Sequence, residues 1–212
     1  MKLQYQTHSP FARKVLVFAH EAGLAGRIEV IHQETSPTLR NDEVFAENPL
    51  GKVPVLLRPG LAPLFDSDLI CAYLDTLHDG PALIPAAGEA RWRALMMQAV
   101  AQGISEAGIQ IRWETVRRPE ALRFPALADG YADKLRASYD WLEREIATDP
   151  DLHVGHISAA TALSWLEFRA LPDFRGGRPL LSAWLDRFAQ RPSMLATPLS
   201  GETVDEAVPP ER

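Results

Sequence analysis

The sequence predicts a two-part fold, an α/β layer followed by an all-helical half. Three observations predict it. Apolar segments of period two are confined to the first 78 residues, helical periods fill the remainder, and a break rich in Pro and Gly (Gly80, Pro81, Pro85, Gly88) separates them. The expected domains are residues 1–78 and 86–198. At 212 residues the chain can bury a substantial core.

In the first part, Leu3 and Tyr5 alternate with polar residues and read as a strand. Ser9-Pro10 is a helix start, with Ser at the N-cap and Pro at the first helical position. Val15, Leu16, Phe18 and Ala19 keep helical spacing until Gly23. Ile28, Val30 and Ile31 form a second strand, and the polar stretch from Gln33 to Asn48 reads as loop with a short helix. Val53–Leu57 and Leu61–Phe65 flank Arg58-Pro59-Gly60 as a hairpin. From Ser67, the residues Leu69, Ile70, Tyr73, Leu74 and Leu77 share a helical stripe. βαβ, then hairpin, then helix is the order of a thioredoxin-like layer.

In the second part a helix from about Glu89 to Thr115 carries Trp92, Leu95, Met96, Ala99 and Val100 three or four residues apart. Leu127, Tyr131, Leu135, Leu142 and Ile146 mark another, Ala162, Leu163, Leu166 and Ala170 a third, and Leu180, Leu181, Trp184, Leu185 and Phe188 a fourth. Arg117-Arg118-Pro119 reads as a solvated helix end, and the acidic tail after Pro198 as a mobile or surface-draped segment.

Composition excludes several classes. With 46% apolar and 24% charged residues the chain is ordinarily globular. A net charge of −6 without a local Lys/Arg cluster speaks against nucleic acid or an anionic membrane surface. The start, Met1–His8, lacks the apolar run of a secretory signal, and no segment reaches the roughly 18 apolar residues that would span a bilayer. The single cysteine, Cys71, forbids an internal disulfide and suits a reducing compartment, so a cytoplasmic location is expected. Cys71 falls on an apolar stripe and reads as a small buried residue. His153 and His156 have a spacing zinc can use, but no further ligands accompany them, and no metal is expected.

Three short stretches carry the chemistry. Ser9-Pro10-Phe11-Ala12-Arg13-Lys14 puts a hydroxyl at a helix N-terminus, where free N–H groups and a partial positive charge favour an anion. Asn48-Pro49-Leu50-Gly51-Lys52-Val53-Pro54 leads into a strand through an X-Pro bond. Phe65-Asp66-Ser67 ends a strand and opens a helix. Ser9 and Asp66-Ser67 are also ordinary caps, and a cap can serve a ligand as well.

In this order, and followed by an all-helical half, the three motifs resemble the glutathione S-transferase superfamily, in its bacterial, serine-type form. The resemblance covers nearly the whole chain. It implies a thioredoxin-like N-terminal domain, an all-α C-terminal domain and glutathione as cosubstrate. Ser9 would be catalytic, donating its hydroxyl to the glutathione sulfur, with Phe11 beside it. The bond before Pro54 would be cis, and Val53 would pair its N–H and C=O with the cysteinyl part in a one-residue strand addition. Lys52 would lie near the glycine carboxylate, Ser67 would take the γ-glutamyl carboxylate, and Asp66 its ammonium. Because position 9 is Ser, disulfide exchange through a protein cysteine there is excluded. Gly155–Thr161 falls where the family has a buried capping box, with Ser158 as cap and Thr161 in place of the usual acid.

Glu106, Ile109, Arg112 and Trp113 are candidates for the electrophile pocket between the domains. The expected function is activation of the glutathione thiol for attack on a small hydrophobic electrophile. A peroxidase, isomerase or dehalogenase would share the site, and a non-catalytic partner-binding module is the alternative from another class. The resemblance further implies a homodimer.

Overall fold

A computed structural model describes residues 1–146 and 151–205 of the chain. The first domain contains β1 (Lys2–Tyr5), α1 (Pro10–Glu21), β2 (Glu29–His32), α2 (Asp42–Glu47), β3 (Val55–Arg58), β4 (Leu61–Phe65) and α3 (Ser67–Leu74). The strands form one mixed sheet in the order β2-β1-β3-β4. β1 runs parallel to β2, while β1–β3 and β3–β4 are antiparallel. This is the thioredoxin-like layer that the element order predicts.

The registers decide where the loops emerge. Gln4 near the end of β1 faces Val55 at the start of β3, and Val55 also faces Phe65 at the end of β4. The chain leaving β1, the chain entering β3 and the chain leaving β4 therefore lie side by side at one end of the sheet. The β3 strand begins two residues later than expected, at Val55, after Pro54, which has no N–H to give a ladder; the Val53–Pro54 bond is cis.

The helical domain contains α4 (Gly88–Arg112), α5 (Pro125–Glu145), α6 (Val154–Phe168), α7 (Pro179–Phe188) and the short α8 (Pro192–Leu195). After Arg112 the chain continues in a wider, π-helical turn over Trp113–Arg117. No helix among the described residues is long and apolar enough to cross a membrane.

One hydrophobic core runs through both domains, from Leu3, Val15, Phe18 and Ile70 to Ile104 and Leu163. A small satellite of Val44, Val53 and Val55 packs the α2 side of the sheet. α4 departs from the expected stripe. Its buried face is Ala94, Met97, Ala101, Ile104, Ala107 and Gly108, whereas Trp92 is 61% and Met96 50% exposed. The helix is apolar on two faces, and the small residues decide which one α6 can approach. At the α4–α6 crossing a β-carbon on Gly155 would stand 2.7 Å from the Ala94 carbonyl oxygen and 2.7 Å from Met97 Cβ. Leu69 of α3, also expected inside, is 51% exposed, while Ile70, Cys71 and Leu74 are buried.

The capping expectation for α6 is corrected too. The helix starts at Val154, and His153 is its N-cap, Nδ1 accepting from the N–H groups of Gly155 (3.1 Å) and His156 (3.4 Å). Ser158 and Thr161 lie inside the helix and donate to the carbonyls of Val154 (2.8 Å) and Ile157 (2.9 Å). A histidine with a bare ring nitrogen can do what Ser or Asp does at a cap, and spacing alone does not reveal it. The two histidine rings stack at 3.8 Å, and among the described residues no group of three metal-ligating side chains occurs.

Candidate glutathione site

Three elements meet at the sheet end defined above. Ser9 caps α1, with φ −86° and ψ 122°. Its Oγ accepts from Ala12 N–H at 3.2 Å, so the cap uses the oxygen lone pair and leaves the hydroxyl proton available. Phe11, in the first turn, is half-buried, and Pro10 is buried.

The loop before Pro54 is tied at the Gly51 and Lys52 carbonyls. Asn48, itself buried, accepts from Leu50 N–H (3.0 Å) and donates to the Lys52 carbonyl (2.8 Å). Thr35 donates to the Gly51 carbonyl at 3.0 Å, and Gly51 sits at φ +61°, a conformation that costs glycine little. The Lys52 side chain projects to solvent. Val53 is buried and lies outside β3. Among the described residues its N–H and C=O find no hydrogen-bond partner.

Asp66 caps α3 from φ +74°, Oδ1 accepting from Asp68 N–H (2.8 Å) and Leu69 N–H (3.3 Å). A non-glycine residue rarely sits at this backbone angle, and Asp is among those that tolerate it. Ser67 is the buried first residue of the helix, with its N–H at the positive end. The two helix starts are locked together by Lys14 of α1. Its side chain is buried, and its ammonium pairs with Asp68 of α3 and donates to Gln102 Oε1 of α4 at 3.4 Å. The structure thus brings Ser9, Val53–Pro54 and Asp66–Ser67 to one end of the sheet.

Cys71 is fully buried on α3, one turn beyond Ser67. Burial pushes its thiol up to about 12, beyond reach of redox chemistry at neutral pH. His8 is buried beside Ser9, its carbonyl taking the Trp165 N–H at 2.9 Å. Burial is the main cause that lowers its pKa, with Arg169 and Arg112 adding to the effect and Glu34 opposing it.

Of the residues expected to line the second-substrate side, Glu106 is exposed and accepts from Gln102 at 2.9 Å, and Ile109 and Trp113 are half-buried. Arg112 is buried. The expected solvated end at Arg117 is overturned. Arg117 lies flat on the Trp113 ring at 3.8 Å and donates Nε to Asp205 Oδ2 at 2.8 Å, with Nη2 on Oδ1. Arg118 pairs with the buried Glu114 at 2.8 Å.

Asp205 belongs to the tail, whose described part, up to that residue, is draped over the junction of the domains. Thr7 and Ser200 exchange two bonds, Oγ1 to carbonyl at 2.8 Å and N–H to carbonyl at 3.2 Å. Asp205 also accepts from Ser36 (2.8 Å) and Thr38 (2.9 Å), and Arg117 holds its carboxyl at about 2. Glu202 sits against Arg169 (2.6 Å) and Arg112 (3.6 Å). Arg169 is far in sequence from Arg112 and Arg117, so no single run of basic residues announces the cluster. Burial, then the nearness of Arg169, with Arg117 a smaller cause, pushes Arg112 down to about 10, against the pull of Glu202.

A thioredoxin-like sheet joined to a helical domain, with two capped helix starts and a cis-proline loop at one sheet end, defines a class of two-domain proteins. The comparisons say which. Residues 8–77 match the glutathione S-transferase N-terminal domain and residues 125–187 the glutathione S-transferase C-terminal domain. The chain belongs to the glutathione S-transferase family. It is 30% identical over 204 residues to the uncharacterized GST-like protein YibF of Escherichia coli strain K12, covering 93% of this chain and 98% of that one. A glutathione transferase family member from Pseudomonas fluorescens Pf-5, solved with bound glutathione, superposes with a TM-score of 0.89 at 38% identity, over 94% of this chain and 99% of the other. A glutathione S-transferase from Methylobacterium radiotolerans JCM 2831, in complex with glutathione sulfonate, gives 0.86 at 28% identity, over 98% and 99%.

Proposed function

We propose that the chain binds glutathione across Ser9, Val53–Pro54 and Asp66–Ser67 and activates its thiol for attack on a small electrophile. The domains doing so would be residues 1–78 for glutathione and 86–198 for the helical side. One observation carries the reading. Ser9 Oγ is committed as an acceptor to the α1 cap, so its proton is left to donate to a ligand sulfur at that helix start. The nucleophile belongs to the cosubstrate, and the protein's part is to position it and stabilise its negative charge.

The rest of the tripeptide fits the same frame. Val53 offers an unpaired N–H and C=O to the cysteinyl backbone. Ser67 offers its hydroxyl and N–H to the γ-glutamyl carboxylate, and Asp66, with Oδ1 used in the cap, has Oδ2 for the ammonium. Lys52 is free to reach the glycine carboxylate, and Phe11 walls the sulfur side. The relatives solved with glutathione support this occupant. Calorimetry with glutathione tests it: saturable heat below millimolar ligand is expected, and no heat at millimolar ligand would favour the partner-binding alternative.

We also place the protein in the cytoplasm, where Cys71 stays reduced, and assemble it as a C2 homodimer. The exposed Leu69 of α3 and Trp92 and Met96 of α4 support the dimer, since an interface between copies would cover large apolar side chains that the single chain leaves in water. Light scattering at micromolar concentration should give twice the 23.5 kDa chain mass, and a monomer mass would rule the dimer out.

A further inference from the structure

The second-substrate side of the site carries a guanidinium that is only partly used. Arg169, the C-cap of α6, has a side chain 3% exposed. Its Cζ lies 4.5 Å over the Phe168 ring, and among the described residues it donates through Nη1 to Glu202 while Nε and Nη2 have no hydrogen-bond partner. Those two nitrogens form the flat edge that grips both oxygens of a carboxylate in parallel. Buried donors left without acceptors are costly, so this edge is an underfilled anion site.

Its present counter-ion is poorly suited to hold it. Glu202 is 80% exposed and touches Arg169 and Arg112 through the single oxygen Oε2. Arg112, 11% exposed, gains from the described residues of the tail only this contact and a 3.5 Å bond to Thr203. The next carboxylate, Asp205, is taken up by Arg117, Ser36 and Thr38. The tail is therefore fastened on both sides of Glu202, at Ser200 on Thr7 and at Asp205. Gly201, at φ +81°, a conformation that costs glycine little, sits between the first anchor and Glu202. Thr7 is two residues from Ser9, and the loop between them carries His8, whose buried Nδ1 is also unpartnered among the described residues.

We propose that Arg112 and Arg169 form a carboxylate subsite for the second substrate, an electrophile whose carboxylate displaces Glu202 while Asp205 keeps the tail in place. The inference rests on the glutathione reading and narrows its electrophile to an anionic class.

Two conjugates of nearly equal shape test it by calorimetry on the full chain: S-(2-carboxyethyl)glutathione and its uncharged amide, S-(2-carbamoylethyl)glutathione. The acid should bind at least about tenfold more tightly than the amide, the range of a charge-assisted pair. Glu202→Gln, which removes the competing carboxylate, should widen that preference. Arg169→Gln and Arg112→Gln should each shrink it toward unity while affinity for glutathione stays unchanged. Equal binding of acid and amide by the native chain, with glutathione bound normally, would overturn the subsite. So would a preference surviving in both arginine variants. Loss of all three ligands, glutathione included, would instead bring down the glutathione reading and this inference with it.

Discussion

Replacing Ser9 by alanine is expected to lower turnover with glutathione by one to two orders of magnitude at neutral pH. A free thiol titrates near about 8.5, so only a few per cent is thiolate at pH 7. A hydrogen bond to a charged acceptor contributes roughly 1.5–3 kcal/mol, and a helix start about 0.3–1 kcal/mol. Together they lower the bound thiol by about one to three units, at ~1.4 kcal/mol per unit. Alanine removes the larger part and leaves the helix start. The lost rate should return as pH rises, because above about pH 9 the thiol ionises without help. A pH–rate profile displaced upward by one to two units is therefore the signature, and Ser9→Thr, which keeps the hydroxyl, should recover most of the rate. The same change deletes the α1 cap, since Oγ accepts from Ala12 N–H. That costs about 1 kcal/mol of stability, a separate effect that a melt will show. A neutral-pH rate equal to that of the native chain would remove Ser9 from the chemistry.

Gly155→Ala should produce a large loss of stability for a single methyl group, with a fall in Tm of about 2–12 °C. The added carbon would lie 2.7 Å from a backbone oxygen of α4, 2.7 Å from Met97 Cβ and 2.9 Å from His153 Cε1. Two of these atoms belong to or adjoin the backbone and cannot swing away, so α4 and α6 must part. Overpacking of this kind costs about 1–3 kcal/mol, and each kcal/mol shifts Tm by about 2–4 °C in a chain of this length. The displaced His153 is also the cap of α6, which adds to the loss. Gly103→Ala gives the opposite sign. It lies in the same α4, with nothing within 4 Å of the new carbon, and alanine should raise Tm because it lowers the entropy cost of the helix. Scanning calorimetry of the two variants compares them directly. A Gly155→Ala melt no lower than native would refute the close crossing.

The three chemical motifs were legible in the sequence because each is local. A cap is a hydroxyl or carboxylate within three residues of the N–H groups it serves, as at Ser9 and Asp66. The turn at Pro59-Gly60 and the loop held by Asn48 are likewise built from near neighbours. The α4 stripe differs from the expected one for a physical reason. Trp92 and Met96 are large side chains of the expected stripe, yet the core selects the face that carries alanine and glycine, because helix approach is limited by side-chain size. His153 was overlooked as a cap because only its tautomer and ring position make it an acceptor.

By itself, then, the amino-acid order determined the two-domain plan, the three motifs and their sequence, and the absence of a cysteine at position 9, all of them properties of neighbouring residues. Tertiary structure alone decided which face of α4 meets α6, that Lys14 joins the starts of α1 and α3, and that Arg112, Arg117 and Arg169 gather under Glu202 and Asp205. Those pairs span from 33 to 90 residues of chain. Coulomb attraction and close packing depend on distance in space, and only the folded chain sets that distance.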